Sequence, residues 1–358
     1  MSRLGVVLFQ LGGPDTLDAI EPFLYNLFCD PDIIDFPFAR IGRKPLAKLI
    51  STTRAKKVEH HYAVIGNGSP IRRHTEAQAR LLEAGLRERG IDAACAVAMR
   101  YWHPFTTEAL AQLEDAGCDE YVLLPLYPQY SSTTTGSSLN EWWRVLAASR
   151  LGRQCHVVND FYKNELYLGA VVERVNEALD RFSEEPTGRM GVWEPSGCSL
   201  PSSHPPCGIF HDIELVFSAH SVPISVIERG DPYQRQIEET VALAMQRGGW
   251  ALRYRLCYQS KVGASKWLQP SLRATIRELG AAGLKRVCVV PISFVSDHVE
   301  TLGEINHEGR ELAEAAGIEQ FEMAAGLNDS PLFIAALAQL VMQAIGIEVE
   351  DETLIAAN

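Results

Sequence analysis

Asp115-Ala-Gly-Cys-Asp-Glu-Tyr-Val-Leu-Leu-Pro125 and Ala281-Ala-Gly-Leu-Lys-Arg-Val-Cys-Val-Val-Pro291 are distant stretches of the chain built to one plan. Each has a glycine suited to ending a helix, then an apolar run of the buried-strand type, then a proline eight residues after the glycine. Outward from them, further apolar runs read as strands: Leu4 to Leu11, Ala93 to Ala98, Tyr121 to Leu126, Val157 to Val158, Ile213 to Ala219, Leu252 to Tyr258 and Val287 to Val290. Helical patterns alternate with them at Glu76 to Arg89, Thr106 to Ala116, Glu165 to Phe182, Pro232 to Arg247, Pro270 to Leu279 and Pro331 to Ile345. Such alternation predicts an α/β fold of parallel sheets covered on both faces. Any α/β protein can reuse this unit, but its recurrence predicts two similar Rossmann-like domains. We place them at 1–150 and 151–328, with a helix at about 329–346 packing back on the first. Ligands of open α/β sheets sit beyond the carboxyl ends of strands, so chemistry is expected in the loops after Leu11, Pro125, Ala219, Tyr258 and Pro291.

Composition excludes several classes. Hydrophobic residues make up 46% and charged residues 22% of the chain, a globular composition rather than a disordered one. The formal net charge of −12 argues against nucleic-acid binding. No stretch approaches the roughly 18 uncharged apolar residues of a spanning helix, so membrane contact is expected to be peripheral. Met1-Ser-Arg-Leu-Gly runs straight into an apolar segment without the regions of a cleaved signal, which predicts a cytoplasmic address. There the cysteines should be mostly reduced, with Cys95, Cys118 and Cys288 as small core residues. Between Ala39 and Lys57 stand Arg40, Arg43, Lys44, Lys48, Arg54, Lys56 and Lys57 with no acidic residue. That run suits an anionic ligand or lipid head groups, or a solvated basic helix face.

Two places carry candidate chemistry. Ser218-Ala-His220-Ser-Val-Pro223 puts a histidine at a strand's carboxyl end, where imidazole can accept a proton or bind a borderline metal such as Fe(II). Alone it is equally a hydrogen-bonded loop residue. After the strand ending at Pro291 come Asp297, His298, Glu300, Glu304 and Glu308, whose three- and four-residue spacings align the carboxylates on one helix face. Like charges so spaced oppose helix formation by a few tenths of a kcal/mol per pair, unless a cation occupies the row. A solvated acidic N-terminus explains Asp297 and Glu300 better than Glu308.

Leu11-Gly-Gly-Pro-Asp15, Ile65-Gly-Asn-Gly-Ser69-Pro-Ile, Met99-Arg-Tyr-Trp-His-Pro104, Leu126-Tyr-Pro-Gln-Tyr-Ser131, Thr135-Gly-Ser-Ser138, Ser218-Ala-His-Ser-Val-Pro223, Gln259-Ser-Lys-Val-Gly263 and Ser296-Asp-His-Val-Glu-Thr301 together resemble the blocks of the ferrochelatase family, in that family's order. The resemblance spans about residues 4 to 345. It implies a lyase that inserts Fe(II), as substrate, into protoporphyrin IX with release of two protons, the terminal step of haem synthesis. It also implies that His220 and Glu300 form the central metal-binding and proton-accepting pair, facing each other across the macrocycle. Asp297, His298, Glu304 and Glu308 match a relay for iron or protons. Leu11, Tyr62, Ser69, Arg100, Tyr127 and Trp267 match porphyrin-contacting positions, and Arg54 a rim cation for a propionate.

Several features refine this expectation. The branch of the family that uses coproporphyrin typically has tyrosine where Leu11 stands, so leucine favours protoporphyrin. The segment from Phe23 to Ile50 resembles an apolar lip, with Phe23, Phe28, Phe36 and Phe38, that would dock on the inner membrane surface. A protoporphyrinogen-oxidising enzyme is the implied partner. The irregular segment 183–212 holds Cys198, Cys207, His204 and His211. Some members of the family carry a [2Fe–2S] cluster; here Cys155 and Cys257 would have to join Cys198 and Cys207, with spacings that fit no short ligand motif, so free thiols are favoured and no obligatory cofactor is expected. A zinc site using His204 or His211 is a thinner alternative. A porphyrin or haem carrier without chemistry, and a cobalt chelatase of related fold, are the rival functions. The carrier has no need of the acidic row. No strand is followed by Gly-x-Gly-x-x-Gly, which disfavours a nucleotide-dependent oxidoreductase.

Overall fold

The computed structural model describes residues 3–32, 39–182, 212–261 and 265–347 of the chain. Two four-stranded sheets, each entirely parallel, form its framework. The first is built from β1 (Arg3–Gln10), β2 (Ala93–Met99), β3 (Cys118–Pro125) and β4 (Gln154–Val157) in the order β2-β1-β3-β4. The second uses β5 (Ile213–His220), β6 (Arg253–Gln259), β7 (Arg286–Pro291) and β8 (Gln320–Met323) in the order β6-β5-β7-β8. The two orders are the same, as the shared plan of the two quoted stretches predicts.

Around the first sheet lie α1 (Ile20–Cys29), α2 (Ala39–Val64), α3 (Ile71–Glu88), α4 (Thr106–Asp115) and α5 (Ser137–Ser149). Then come α6 (Glu165–Asp180), α7 (Ile224–Glu228), α8 (Tyr233–Gly248), α9 (Leu272–Ala281), α10 (Gly309–Ala315) and α11 (Pro331–Ala344). Helices cover both faces of each sheet, which is why Val6, Val7 and Leu8 of β1 are all fully buried although their side chains point alternately. Gly117 and Gly283 take the left-handed conformation, at φ +74° and +80°, just before β3 and β7. Cys95, Cys118 and Cys288 are buried free thiols.

Two elements add to the sequence reading. β4 pairs with β3, Glu120 opposite Gln154, which carries the first sheet to Val157. β8 has no apolar run to announce it: it is a four-residue edge strand in which only Phe321 and Met323 are buried. α11, capped by the Ser330 hydroxyl, packs on α3 of the first unit and on α6, and one continuous core joins Leu82 and Leu86 of α3 to Val175 of α6, Ile237 of α8 and Phe333 and Leu337 of α11. Full burial of a side chain such as Leu337 contributes about 2 kcal/mol.

A polar seam fixes the loop after β3 against α8. The Tyr130 amide donates to Gln236 Oε1 at 2.6 Å and Gln129 Nε2 to Thr240 Oγ1 at 3.0 Å. The Ser132 amide and hydroxyl both donate to Asp231 Oδ2, at 2.7 and 2.8 Å. Carboxyl ends from both sheets are thereby held around one space.

Candidate active site

That space is a cleft of about 670 Å³ bounded by the loops after β1, β3, β5 and β7. Leu11, Ile71, Leu126, Tyr127, Val222, Phe294 and Val295 make its walls largely apolar, while His220, His298 and Glu300 are grouped among its polar lining.

His220 is the last residue of β5, and its backbone is pinned twice: its amide donates to Ser293 Oγ at 2.9 Å and its carbonyl accepts from the Tyr233 hydroxyl at 2.9 Å. Its Nδ1 meets Glu300 Oε2 at 2.8 Å. The two side chains are thus in direct hydrogen-bond contact, with no room for a ring between them, and both follow strands of the second sheet, rather than facing each other across a gap. Burial opposes charging the imidazole, but the Glu300 carboxylate, with Glu304 behind it, outweighs burial and raises the His220 pKa. Glu300 is the mirror case: burial would raise its pKa, yet the bond to His220 and the nearness of His298 hold it below the usual carboxylate range.

Glu300 stands in a π-helix, Val299–Glu308, rather than an ordinary α-helix. π-Turns are uncommon and often occur at functional sites. The wider turn keeps Glu300, Glu304 and Glu308 in sequence along it, and burial together with repulsion from Glu300 pushes the Glu304 pKa up to about 7. Glu304 accepts from the Ser260 hydroxyl, and the outermost carboxylate, Glu308, meets His61 Nε2 at 3.1 Å and Arg273 Nη1 at 3.0 Å. His298 is buried, its Nδ1–H donating to the Ser296 carbonyl at 3.0 Å, and burial lowers its pKa. Asp297 does not belong to the row. It precedes the helix, and its carboxylate accepts from Thr301 Oγ1 at 2.9 Å, the Gly326 amide at 3.1 Å and Asn328 Nδ2 at 2.8 Å, anchoring one loop to another.

The sequence profile of the ferrochelatase family matches residues 3–345. The chain belongs to the ferrochelatase family. A ferrochelatase of Gloeobacter violaceus is 44% identical over 355 residues, 97% of this chain and 99% of that one. One from a Cyanothece species is 45% identical over 350 residues, 96% of this chain and 83% of that one. The SirB protein of Bacillus subtilis, solved with Fe3+, shares the fold at a TM-score of 0.52 and 12% identity, covering 96% of each chain. Ferrochelatases are metal chelatases of haem synthesis, and this chain is an enzyme of that lyase class.

Of the positions matched to ferrochelatase by sequence, Leu11, Tyr127, His220, His298 and Glu300 line the cleft. Others stand outside that lining. Tyr62, buried on α2, lies close enough to Glu300 and Glu304 that both carboxylates, after burial itself, raise its pKa. The Ser69 amide donates to the Pro14 carbonyl at 2.7 Å, pinning the loop after β1. Arg100 points to buried Asp30, Nη2 to Oδ1 at 3.0 Å, and donates from Nε to Ser137 Oγ at 2.9 Å, because a carboxylate so buried requires a cation. Trp267 bridges Pro223 just beyond His220, and its buried Nε1 has no partner among the described residues. Arg54 Nε is likewise buried without a partner among them, its guanidinium 5.9 Å from the Phe28 ring centre.

Phe23 and Phe28 are not part of an exposed lip; both face inward in a cluster with Ile20, Leu24, Tyr62 and Tyr101. Phe36 and Phe38 lie outside the described residues. Among the described residues of this segment, the exposed large apolar side chains are Leu46 and Leu49 on α2, at 38% and 64%. Cys198, Cys207, His204 and His211 also lie outside the described residues. Cys155 sits on β4 and Cys257 on β6, packed in different cores, and burial pushes the Cys257 thiol up to about 12. Sequence reasoning missed Tyr233 and Ser293, which hold His220; only their places, at a helix start and just past a strand's carboxyl end, could have pointed to them.

Proposed function

We propose that this chain inserts Fe(II) into protoporphyrin IX within the cleft, with His220 and Glu300 acting together on one face of the ring. The observation that carries this reading is the 2.8 Å contact between His220 Nδ1 and Glu300 Oε2 in a largely apolar slot. Glu300 holds Nδ1, which leaves Nε2 for the cleft, to take a pyrrole proton or to hold the metal. Glu304, poised near neutrality, can accept the proton next, and Glu308 continues the path outward. Leu11 and Tyr127 are apolar walls suited to a flat ring, and Leu11 in place of a hydroxyl-bearing residue suits protoporphyrin. Arg54 is the cation proposed for a propionate. Leu46 and Leu49 beside Lys44 and Lys48 suit peripheral docking on an anionic membrane; among the described residues no helix is long and apolar enough to cross one.

The test is an anaerobic absorption assay of protein with Fe(II) and either protoporphyrin or coproporphyrin. We expect catalytic conversion to the metallated spectrum, faster with protoporphyrin, and co-sedimentation with phosphatidylglycerol but not phosphatidylcholine vesicles. A shifted porphyrin spectrum without metallation would instead identify a carrier. Faster metallation of coproporphyrin, or indifference to the anionic lipid, would remove the branch or the docking assignment respectively.

A further inference from the structure

Arg100 is surrounded by carboxylates. Its Nη2 lies 3.0 Å from Asp30 Oδ1, 3.8 Å from Glu141 Oε2 and 4.0 Å from Asp32 Oδ2, and its Nε donates to Ser137 Oγ at 2.9 Å. Asp30, itself buried, is equally engaged. Its Oδ1 accepts from the Asp32 amide at 2.8 Å, and its Oδ2 from the Tyr101 hydroxyl at 2.5 Å and the Ser137 hydroxyl at 2.6 Å. Arg144 fastens the two outer carboxylates, Asp32 at 2.5 Å and Glu141 at 2.8 Å. This cluster backs onto the cleft wall. The Arg100 amide donates to the Gln10 carbonyl at 2.9 Å and the Tyr101 amide to the Leu11 carbonyl at 3.1 Å, and Gln10 and Leu11 line the slot together with Tyr127. Burial raises the Tyr127 pKa, and the charge of nearby Arg100 opposes that rise. We propose that Asp30, with Asp32 and Glu141, determines which porphyrin is accepted: by holding Arg100 behind the ring wall, the three carboxylates deny the slot a free cation beside Leu11 and Tyr127.

The chemistry of the ligand gives this arrangement its consequence. A guanidinium presents a planar fork that matches a carboxylate, so a free Arg100 at the wall would draw a propionate to it. Protoporphyrin has propionates on one edge only. Coproporphyrin carries additional propionates where protoporphyrin has vinyl groups. A wall without a free cation suits the vinyls, whereas a wall with one suits the added propionates. Nor can a propionate easily draw Arg100 out, because its departure would leave the Asp30 carboxylate buried without its cation. Arg100 is in this way a cation withheld from the ring, and the apolar character that Leu11 gives to the slot is supported by charge pairing one layer behind it.

This assignment rests on the chelatase reading above, so two readouts are taken for protoporphyrin and for coproporphyrin: insertion of Fe(II), and binding of the metal-free porphyrin by quenching of tryptophan fluorescence. Asp30→Asn keeps the shape of the side chain and removes its charge. It should shift preference toward coproporphyrin by about tenfold, in the ratio of Kd values and, through KM rather than kcat, in the ratio of kcat/KM values. Adding Arg100→Gln to Asp30→Asn should return both ratios to those of the wild type. A folded Asp30→Asn protein with unchanged ratios would overturn the proposal, and so would a shift that persists in the double variant. Should Asp30→Asn lose its near-ultraviolet circular dichroism, the variant Asp32→Asn/Glu141→Gln carries the test, since it leaves the buried carboxylate in place. A shift of about threefold toward coproporphyrin there supports the proposal, and none overturns it. A wild type that binds both porphyrins without metallating either would refute the chelatase reading, and the Kd ratios of the variants would then still decide the role of Asp30.

Discussion

Replacing His220 with alanine should lower the metal-insertion rate by about 10² to 10⁴-fold, the usual worth of a positioned proton acceptor, while leaving the fold intact. The fold should survive because the ring faces the cleft, whereas the bonds that hold this stretch of chain, to Ser293 and from Tyr233, are made by the backbone. A folded variant with near-normal turnover would remove His220 from the reaction. The same residue sets the pH dependence of the wild type. Neutral imidazole is the accepting form, and burial, which favours it, is outweighed by the carboxylates of Glu300 and Glu304, so the His220 pKa is raised. Insertion should therefore climb as pH rises through a value above 6.5. Glu300→Gln removes the nearest attracting charge and should move that limb to lower pH in whatever activity remains.

Asp297→Ala should destabilise the protein by about 3 kcal/mol, because its carboxylate is the acceptor for two protein segments at once. Its loss leaves the Gly326 amide and Asn328 Nδ2 without that acceptor in a buried loop, and frees the Thr301 hydroxyl beside the start of the π-helix. Urea unfolding should show a lower midpoint at unchanged slope. A variant as stable as the wild type but slow in insertion would instead make Asp297 a relay residue, as the sequence alone suggested.

The contrast between these two residues shows what a sequence can disclose. Apolar runs such as Leu4 to Leu11 and Ile213 to Ala219 were legible as strands because parallel strands are buried on both faces, and the loops that bound the cleft followed from them. β8 was not, since an edge strand of four residues needs little burial to pair. Spacing placed Asp297 and Glu300 on one face, but spacing does not disclose where a helix starts. Asp297 falls ahead of it, where its oxygens meet Gly326 and Asn328 instead. Nor does it tell an α-helix from a π-helix. His220 and Glu300 were singled out by their places after apolar strands and paired by the block resemblance, but the direct contact between them depends on how β5 and the loop after β7 lie side by side, which one-dimensional order leaves open. Phe23 and Phe28 read as exposed for a similar reason: apolarity alone does not say whether a side chain faces a membrane or a core.

The most direct test is a crystal structure with metal-free protoporphyrin bound. We predict the ring in the cleft beside Leu11 and Tyr127, with His220 and Glu300 still hydrogen-bonded to each other and both on the same face of it. A ring bound elsewhere, or one with those two side chains parted to opposite faces, would contradict the mechanism.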